Sequence, residues 1–274
     1  MKKLLSLTAI LGIFLSACSS HNNNQSATMN ADTVAKKNIV EEDATYSADS
    51  VTANSFIAYD KAKEGRLPVV FVIPEWWGLN DYAKRRAHEL AELGYFAMAV
   101  DMYGNRRIAD NPDAAGKLAG AFYADSNLVK SRLTAALNKI TTYGQADASK
   151  EAMIGYCFGG SMSLMAAKMG LPLKGVVSFH GGLKGTAGKT SVPILICHGE
   201  ADKFVPAEDV AAWRKTMDSL GVKYTFKGYP GATHAFTNPD ATPLGKKFNM
   251  PVEYNAAADT ASWNEMKTFL KQVL

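Results

Sequence analysis

The sequence predicts an α/β domain built on a mostly parallel sheet with helices on both faces. Two observations carry this. Short apolar runs of strand length, among them "LPVVFVIP", "YFAMAVD", "KGVVSFHG" and "VPILICHG", alternate with stretches of helical periodicity. Such alternation implies right-handed crossovers between parallel strands. The runs are also continuous rather than alternately polar, as expected of strands covered on both sides.

The first residues stand outside that domain. Met1–Cys18 reads as an export signal: Lys2 and Lys3 form a basic start, "LLSLTAILGIFL" is apolar but too short to span a bilayer, and "LSAC" follows. Leu-Ser-Ala-Cys resembles the lipobox of bacterial lipoproteins, so residues 1–17 are expected to be removed and Cys18 to carry lipid. The resulting expectation is an envelope protein, anchored to the outer membrane and facing the periplasm. The stretch after Cys18, "SSHNNNQSATMNAD", has too few apolar residues to offset the entropy of ordering. Residues 18–44 are therefore expected to be a flexible tether, and 45–274 one domain.

Within the domain, "SVTANSFIAYD" alternates like an edge strand, and Leu67–Pro74 is the first buried strand. A helix over Asp81–Leu93, a strand over Tyr95–Asp101 and two helices within Pro112–Tyr143 come next. The strand Glu151–Tyr156 runs into "GYCFGG" and a helix rich in Ala, Met and Leu. Strands at Lys174–Gly181 and Val192–Gly199, a helix over Ala207–Leu220, the strand "VKYTFKGY" and a helix from about Tyr254 complete the order.

Composition narrows the function. Hydrophobic residues make up 47% and charged residues 20%, values of a globular body with a sizeable core. Loss of Lys2 and Lys3 with the signal lowers the formal charge from +4 to +2, and the basic clusters are scattered, so nucleic acid is not an expected partner. The histidines are isolated and no Cys-x-x-Cys occurs, so neither a metal nor another cofactor is expected. Cys157 and Cys197 fall on strands with another between them, which argues against a disulfide. Cys197 reads as a core thiol.

Ligands of open parallel sheets sit at the carboxyl ends of the strands, and the reactive side chains collect there. Glu75, Trp76 and Trp77 follow the first buried strand, Cys157 follows the "EAMIGY" strand, Asp202 follows "PILICHG", and His234 follows the last strand. Nucleophile, acid, histidine is the chain order of an α/β-hydrolase triad, in which glycines let backbone pass close to a strained nucleophile. The N-terminus of the following helix places free N–H groups beside the sulfur, His234 can take the thiol proton, and Asp202 can orient His234. The backbone N–H groups of Phe158 and Trp76 would form the oxyanion hole. Read singly, Asp202 and His234 are ordinary loop residues, and "GYCFGG" is as well explained by a structural turn. Their joint placement is what points to catalysis. His180 is expected in the pocket wall or core, and His198 in a structural role.

These motifs resemble the dienelactone hydrolase family. The likeness rests on Gly-x-Cys-x-Gly-Gly, the Glu-Trp-Trp-Gly after the first buried strand, "DMYG", "HGEADKFVP", "GATHAF" and the closing "YNAAADTASWNEMKTFL". It implies an α/β-hydrolase fold and cleavage of a small-molecule ester or lactone. It also implies that Glu75 pairs with the resting thiol. Trp77, Tyr103, Arg106 and Phe236 are expected to contact substrate. Family members acting on an anionic lactone clamp its carboxylate with two arginines. Asn105 and Asn238 occupy those places here, with Arg106 one step from the first, so an uncharged substrate is expected. The competing readings are a non-catalytic envelope binding module and redox work by an exposed thiol, the latter without a resolving cysteine beside Cys157.

Overall fold

Each continuous apolar run becomes a strand of one eight-stranded sheet in the computed structural model, which describes residues 37–274. The export signal with Cys18 and most of the expected tether lie outside the described residues. In chain order the elements are β1 (Ile39–Ala48), β2 (Val51–Asp60), β3 (Leu67–Ile73), α1 (Asp81–Glu92), β4 (Phe96–Ala99), α2 (Pro112–Ala124), α3 (Ser126–Ile140), β5 (Ala146–Tyr156) and α4 (Phe158–Lys168). There follow β6 (Gly175–Phe179), β7 (Ile194–Gly199), α5 (Ala207–Ser219), β8 (Tyr224–Tyr229), α6 (Ala241–Phe248) and α7 (Ala256–Val273). The strand order is β1-β2-β4-β3-β5-β6-β7-β8. β1 and β2 form an antiparallel hairpin, β2 pairs antiparallel with β4, and every later pairing is parallel.

The strands alternate their side chains between two cores, as a pleated sheet covered on both faces requires. Val69, Phe71 and Ile73 of β3 join one cluster with residues of α2, α3, α4 and α5. Val70 and Val72 join the other with Tyr82, Ala87 and Leu90 of α1 and Met266 and Leu270 of α7. Chain direction across the sheet reverses at β3: β4 lies on one side of it and β5 on the other. That switch point opens a crevice between the carboxyl ends of β3 and β5.

Two expectations are corrected. "SVTANSFIAYD" is β2, but not an edge: β1 covers it and starts at Ile39, inside the segment expected to be tether. Glu41, Glu42 and Asp43 make β1 look solvated in sequence, and charge on an edge strand is a common guard against further pairing. α6 was not expected. It is eight residues long and contains Pro243 and Gly245, which hide a helical pattern.

Glu151, at 4% exposure on β5, has its carboxyl pushed up to about 7 by burial. An acid whose folded pKa is raised destabilises the fold increasingly as pH climbs from its ordinary value of 4.5 to about 7. Glu151→Gln is expected to leave stability unchanged at pH 4 and to raise it at pH 8 by on the order of 1 kcal/mol, since solvent reaching the carboxylate screens part of the shift. Urea unfolding at the two pH values measures this, and equal gains at both would contradict it.

Candidate active site

Cys157 sits between β5 and α4 with φ 53° and ψ −115°, a conformation that an L-residue holds only when its surroundings impose it. They do so through close backbone approach. A side chain at Gly155 would strike the Gly159 carbonyl, and one at Gly159 would strike the carbonyl of Ile73 at the end of β3. Both peptide planes of Cys157 are also tied: its N–H donates to Phe179 O at 3.0 Å and its C=O accepts from Ser161 N–H at 3.2 Å.

His234 and Asp202 stand in the loops after β8 and β7. His234 Nδ1 lies 2.7 Å from Asp202 Oδ2, while Asp202 Oδ1 accepts the N–H groups of Phe204 at 2.8 Å and Val205 at 3.2 Å. The carboxylate is thus fully oriented. Cys157 and His234 face the same cavity. Burial opposes charge on His234, but Cys157 and Asp202 outweigh it and hold the imidazole well above its usual range. Burial likewise acts against an ionised Asp202, and the contact with His234 outweighs it, so its carboxyl lies below the ordinary range.

Trp76 follows β3, and Phe158 directly follows Cys157. Glu75 O accepts from Gly78 N–H at 3.1 Å, which fixes the peptide that carries the Trp76 N–H. Phe158 opens α4, where an N–H has no partner within the helix. Among the described residues neither N–H donates to another group.

One cavity of about 210 Å³ lies beside Cys157 and His234. Cys157, His234 and Glu75 line it together with Trp76 and Trp77, Tyr123, Phe204 and Val205, and Leu244, Met250 and Val252 on and after α6. Trp77 stacks on Phe248 of α6, and a bridge pairs His234 with Val252, so the unexpected helix forms one wall. Among the described residues no lysine or arginine lines the cavity.

Several expected contacts fall elsewhere. Arg106 ion-pairs with Asp43 on β1 and is not a lining residue; its positive φ of 52° turns its N–H onto Asp101 Oδ2. Tyr103 is buried and donates its hydroxyl to Trp76 O at 2.9 Å, so it supports the crevice from behind. Phe236 is fully buried against His180 and Tyr229. The ring of Phe158 packs on Tyr103 and Phe122. Glu75 is 2% exposed and accepts from Asn238 Nδ2 at 2.7 Å, with no hydrogen bond to Cys157 among the described residues. Burial raises its carboxyl to about 7, with the Asn238 contact opposing the rise. Sequence reading missed Tyr123, which carries no motif, and Phe204, which lies within "HGEADKFVP" without being singled out. It noted Asn238 only as a missing arginine, although a buried amide four residues past His234 was a possible carboxylate partner.

A parallel-dominated sheet with a strained cysteine at its switch point and an aspartate-held histidine beside it is the architecture of an α/β hydrolase. More narrowly, residues 54–274 match the dienelactone hydrolase family, and the chain belongs to that family of hydrolases. It is similar to the protein usf of Aquifex pyrophilus, 30% identical over 76% of this chain and 89% of that one. Among solved structures it is similar to a dienelactone hydrolase-like promiscuous phosphotriesterase from metagenomic libraries, with 33% identity, TM-score 0.80, and coverage of 86% of this chain and 98% of the other. A second, named m3DLH, is 30% identical with TM-score 0.81, covering 86% and 99%.

Proposed function

We propose that the protein hydrolyses an uncharged carboxylic ester or lactone through an acyl-cysteine intermediate. The observation that supports this is the meeting of Cys157, the Asp202-held His234 and Trp76 at one cavity, with the unspent N–H of Phe158 next to Cys157 in the chain. His234 takes the Cys157 proton, and the sulfur attacks the carbonyl carbon. The carbonyl electron pair moves onto oxygen, where the N–H groups of Trp76 and Phe158 receive it. Collapse breaks the ester C–O bond, and the leaving oxygen takes the proton from His234. Water then attacks the thioester with His234 as base, and a second collapse frees the acid and restores the thiol.

Glu75 controls the resting thiol in this scheme. Ionised, it opposes a thiolate in the same cavity; protonated, it does not. Its value of about 7 keeps both forms populated near neutral pH.

The uncharged substrate follows from the lining. A substrate carboxylate would meet Glu75 and, among the described residues, no lysine or arginine, and the Asn238 amide is engaged with Glu75. A charge-assisted clamp cannot be replaced by two asparagines. The test is kcat/KM across esters and lactones matched in size, with neutral phosphotriesters added because of the likeness to a phosphotriesterase. A neutral ester is expected to exceed an acidic lactone by at least about tenfold, equivalent to about 1.4 kcal/mol. A salt-sensitive preference for the acid would contradict it. A non-catalytic binding module would turn over none of the panel.

The proposal includes a lipid anchor at Cys18, with Ser19 behind it favouring the outer membrane by resemblance to bacterial sorting patterns. Wild type is expected in the detergent phase and Cys18→Ser in the aqueous phase. Aqueous partition of both would remove the anchor.

A further inference from the structure

Beneath the cysteine elbow lies a buried histidine that the proposed chemistry does not use. His180 follows β6, is 1% exposed and has a positive φ of 41°. Its backbone N–H is tied to Cys197 O at 2.8 Å. Its ring packs edge-on against His234, centroids 5.3 Å apart, and against Phe236 at 5.2 Å. The Cys157 N–H that donates to Phe179 O also points at His180 Nδ1, 3.1 Å away. On the far side of the ring, Nε2 lies 2.8 Å from Thr237 Oγ1, which in turn lies 2.6 Å from the Tyr82 hydroxyl. Arg86 closes the chain from α1, donating to Thr237 O at 2.9 Å and pairing with Asp259 and Glu89.

The donor pattern fixes the tautomer. A backbone N–H can only donate, so Nδ1 must be the unprotonated nitrogen and Nε2 must carry hydrogen toward Thr237. Cationic or titratable neighbours face the ring from several elements: His234 after β8, Arg86 and Tyr82 on α1, Tyr156 on β5 and His198 on β7. Burial, then the charges of His234 and Arg86, hold the imidazole well below its usual range, so it stays neutral. A buried imidazole with both nitrogens engaged costs little, and an apolar residue would fill the space as well. The specific gain is an acceptor aimed at Cys157.

We infer that His180 is a positioning residue: its Nδ1, held in acceptor form by Thr237, fixes the peptide entering Cys157 and so aims both the sulfur and the Phe158 N–H at the substrate carbonyl. The inference rests on Cys157 being the nucleophile. Because Cys157 holds a positive φ, its preceding peptide is the one that would rotate if the elbow relaxed. A shift of about 1 Å in such a group costs on the order of 100-fold in rate.

The test compares His180→Leu, which keeps bulk without an acceptor, with His180→Asn, whose Oδ1 can occupy the Nδ1 position. A neutral p-nitrophenyl ester is the substrate. His180→Leu is expected to lose about 10- to 100-fold in kcat with KM within about twofold, and His180→Asn to recover to within about threefold of wild type. A folded His180→Leu with near wild-type kcat would show that Phe179 O suffices and overturn the inference. Equal impairment of the two variants would show packing rather than an acceptor and would overturn it as well. If His180→Leu does not fold, 15N NMR of the wild-type imidazole decides: the Nε2–H tautomer is expected, and Nδ1–H contradicts it. Cys157→Ala run in parallel separates the two claims, since turnover in that variant removes the nucleophile while leaving the tautomer measurement intact.

Discussion

Cys157→Ala is expected to lower kcat/KM for any hydrolysed ester by on the order of 10⁴-fold or more, the scale seen when a covalent nucleophile is removed. Stability should change little. The Cys157 side chain is half-buried at the edge of a cavity rather than inside either core, and alanine meets the same backbone strain at φ 53° that cysteine does. The melting temperature is therefore expected within a few degrees of wild type. Cys157→Ser keeps the shape but replaces a thiol with a hydroxyl that is far harder to deprotonate, and should retain little activity. Full activity in the alanine variant would move the chemistry to another residue.

Asp202→Asn is the second large effect. The carboxylate accepts from two backbone N–H groups through Oδ1 and holds His234 Nδ1 through Oδ2. An asparagine amide in the same place presents a donor or a neutral acceptor to the ring, which loses both its tautomer and the partner of its cation. The expected loss is about 10³- to 10⁴-fold in kcat with KM little changed. The substitution also alters acid stability. The His234 contact holds the Asp202 carboxyl below its ordinary value of 3.8, so the stability it contributes is complete above that value and is lost as pH falls through the lower, folded one. Wild type should show this loss in acid unfolding and Asp202→Asn should not. A variant with near wild-type kcat would leave His234 without a need for Asp202.

Much of the architecture was legible because its signals are local. Continuous apolar runs specify strands buried on both faces, and the glycines around Cys157 mark backbone that must pass closely. The placement of Glu75, Cys157, Asp202 and His234 at strand ends could be read for the same reason. What escaped depends on long-range pairing. β1 carries three consecutive acids and gains its place only by pairing with β2. Arg106 reads as a free cation until Asp43 of that strand is beside it. Asn238 reads as a lost arginine until its amide is found on Glu75, and His180 as filler until the Cys157 N–H is found on its ring. In each case the residue type was visible and its partner, far away in sequence, was not.

Acyl transfer through Cys157 is open to direct trapping of the acyl-enzyme. The full chain is mixed with a neutral activated ester, quenched in acid at successive times, digested and analysed by mass. An acyl adduct is expected on the peptide containing Cys157; it forms within one turnover, decays at the rate of steady-state hydrolysis, and is absent from Cys157→Ala. Hydrolysis that proceeds with no adduct on Cys157, or with an adduct there that never decays, would contradict it.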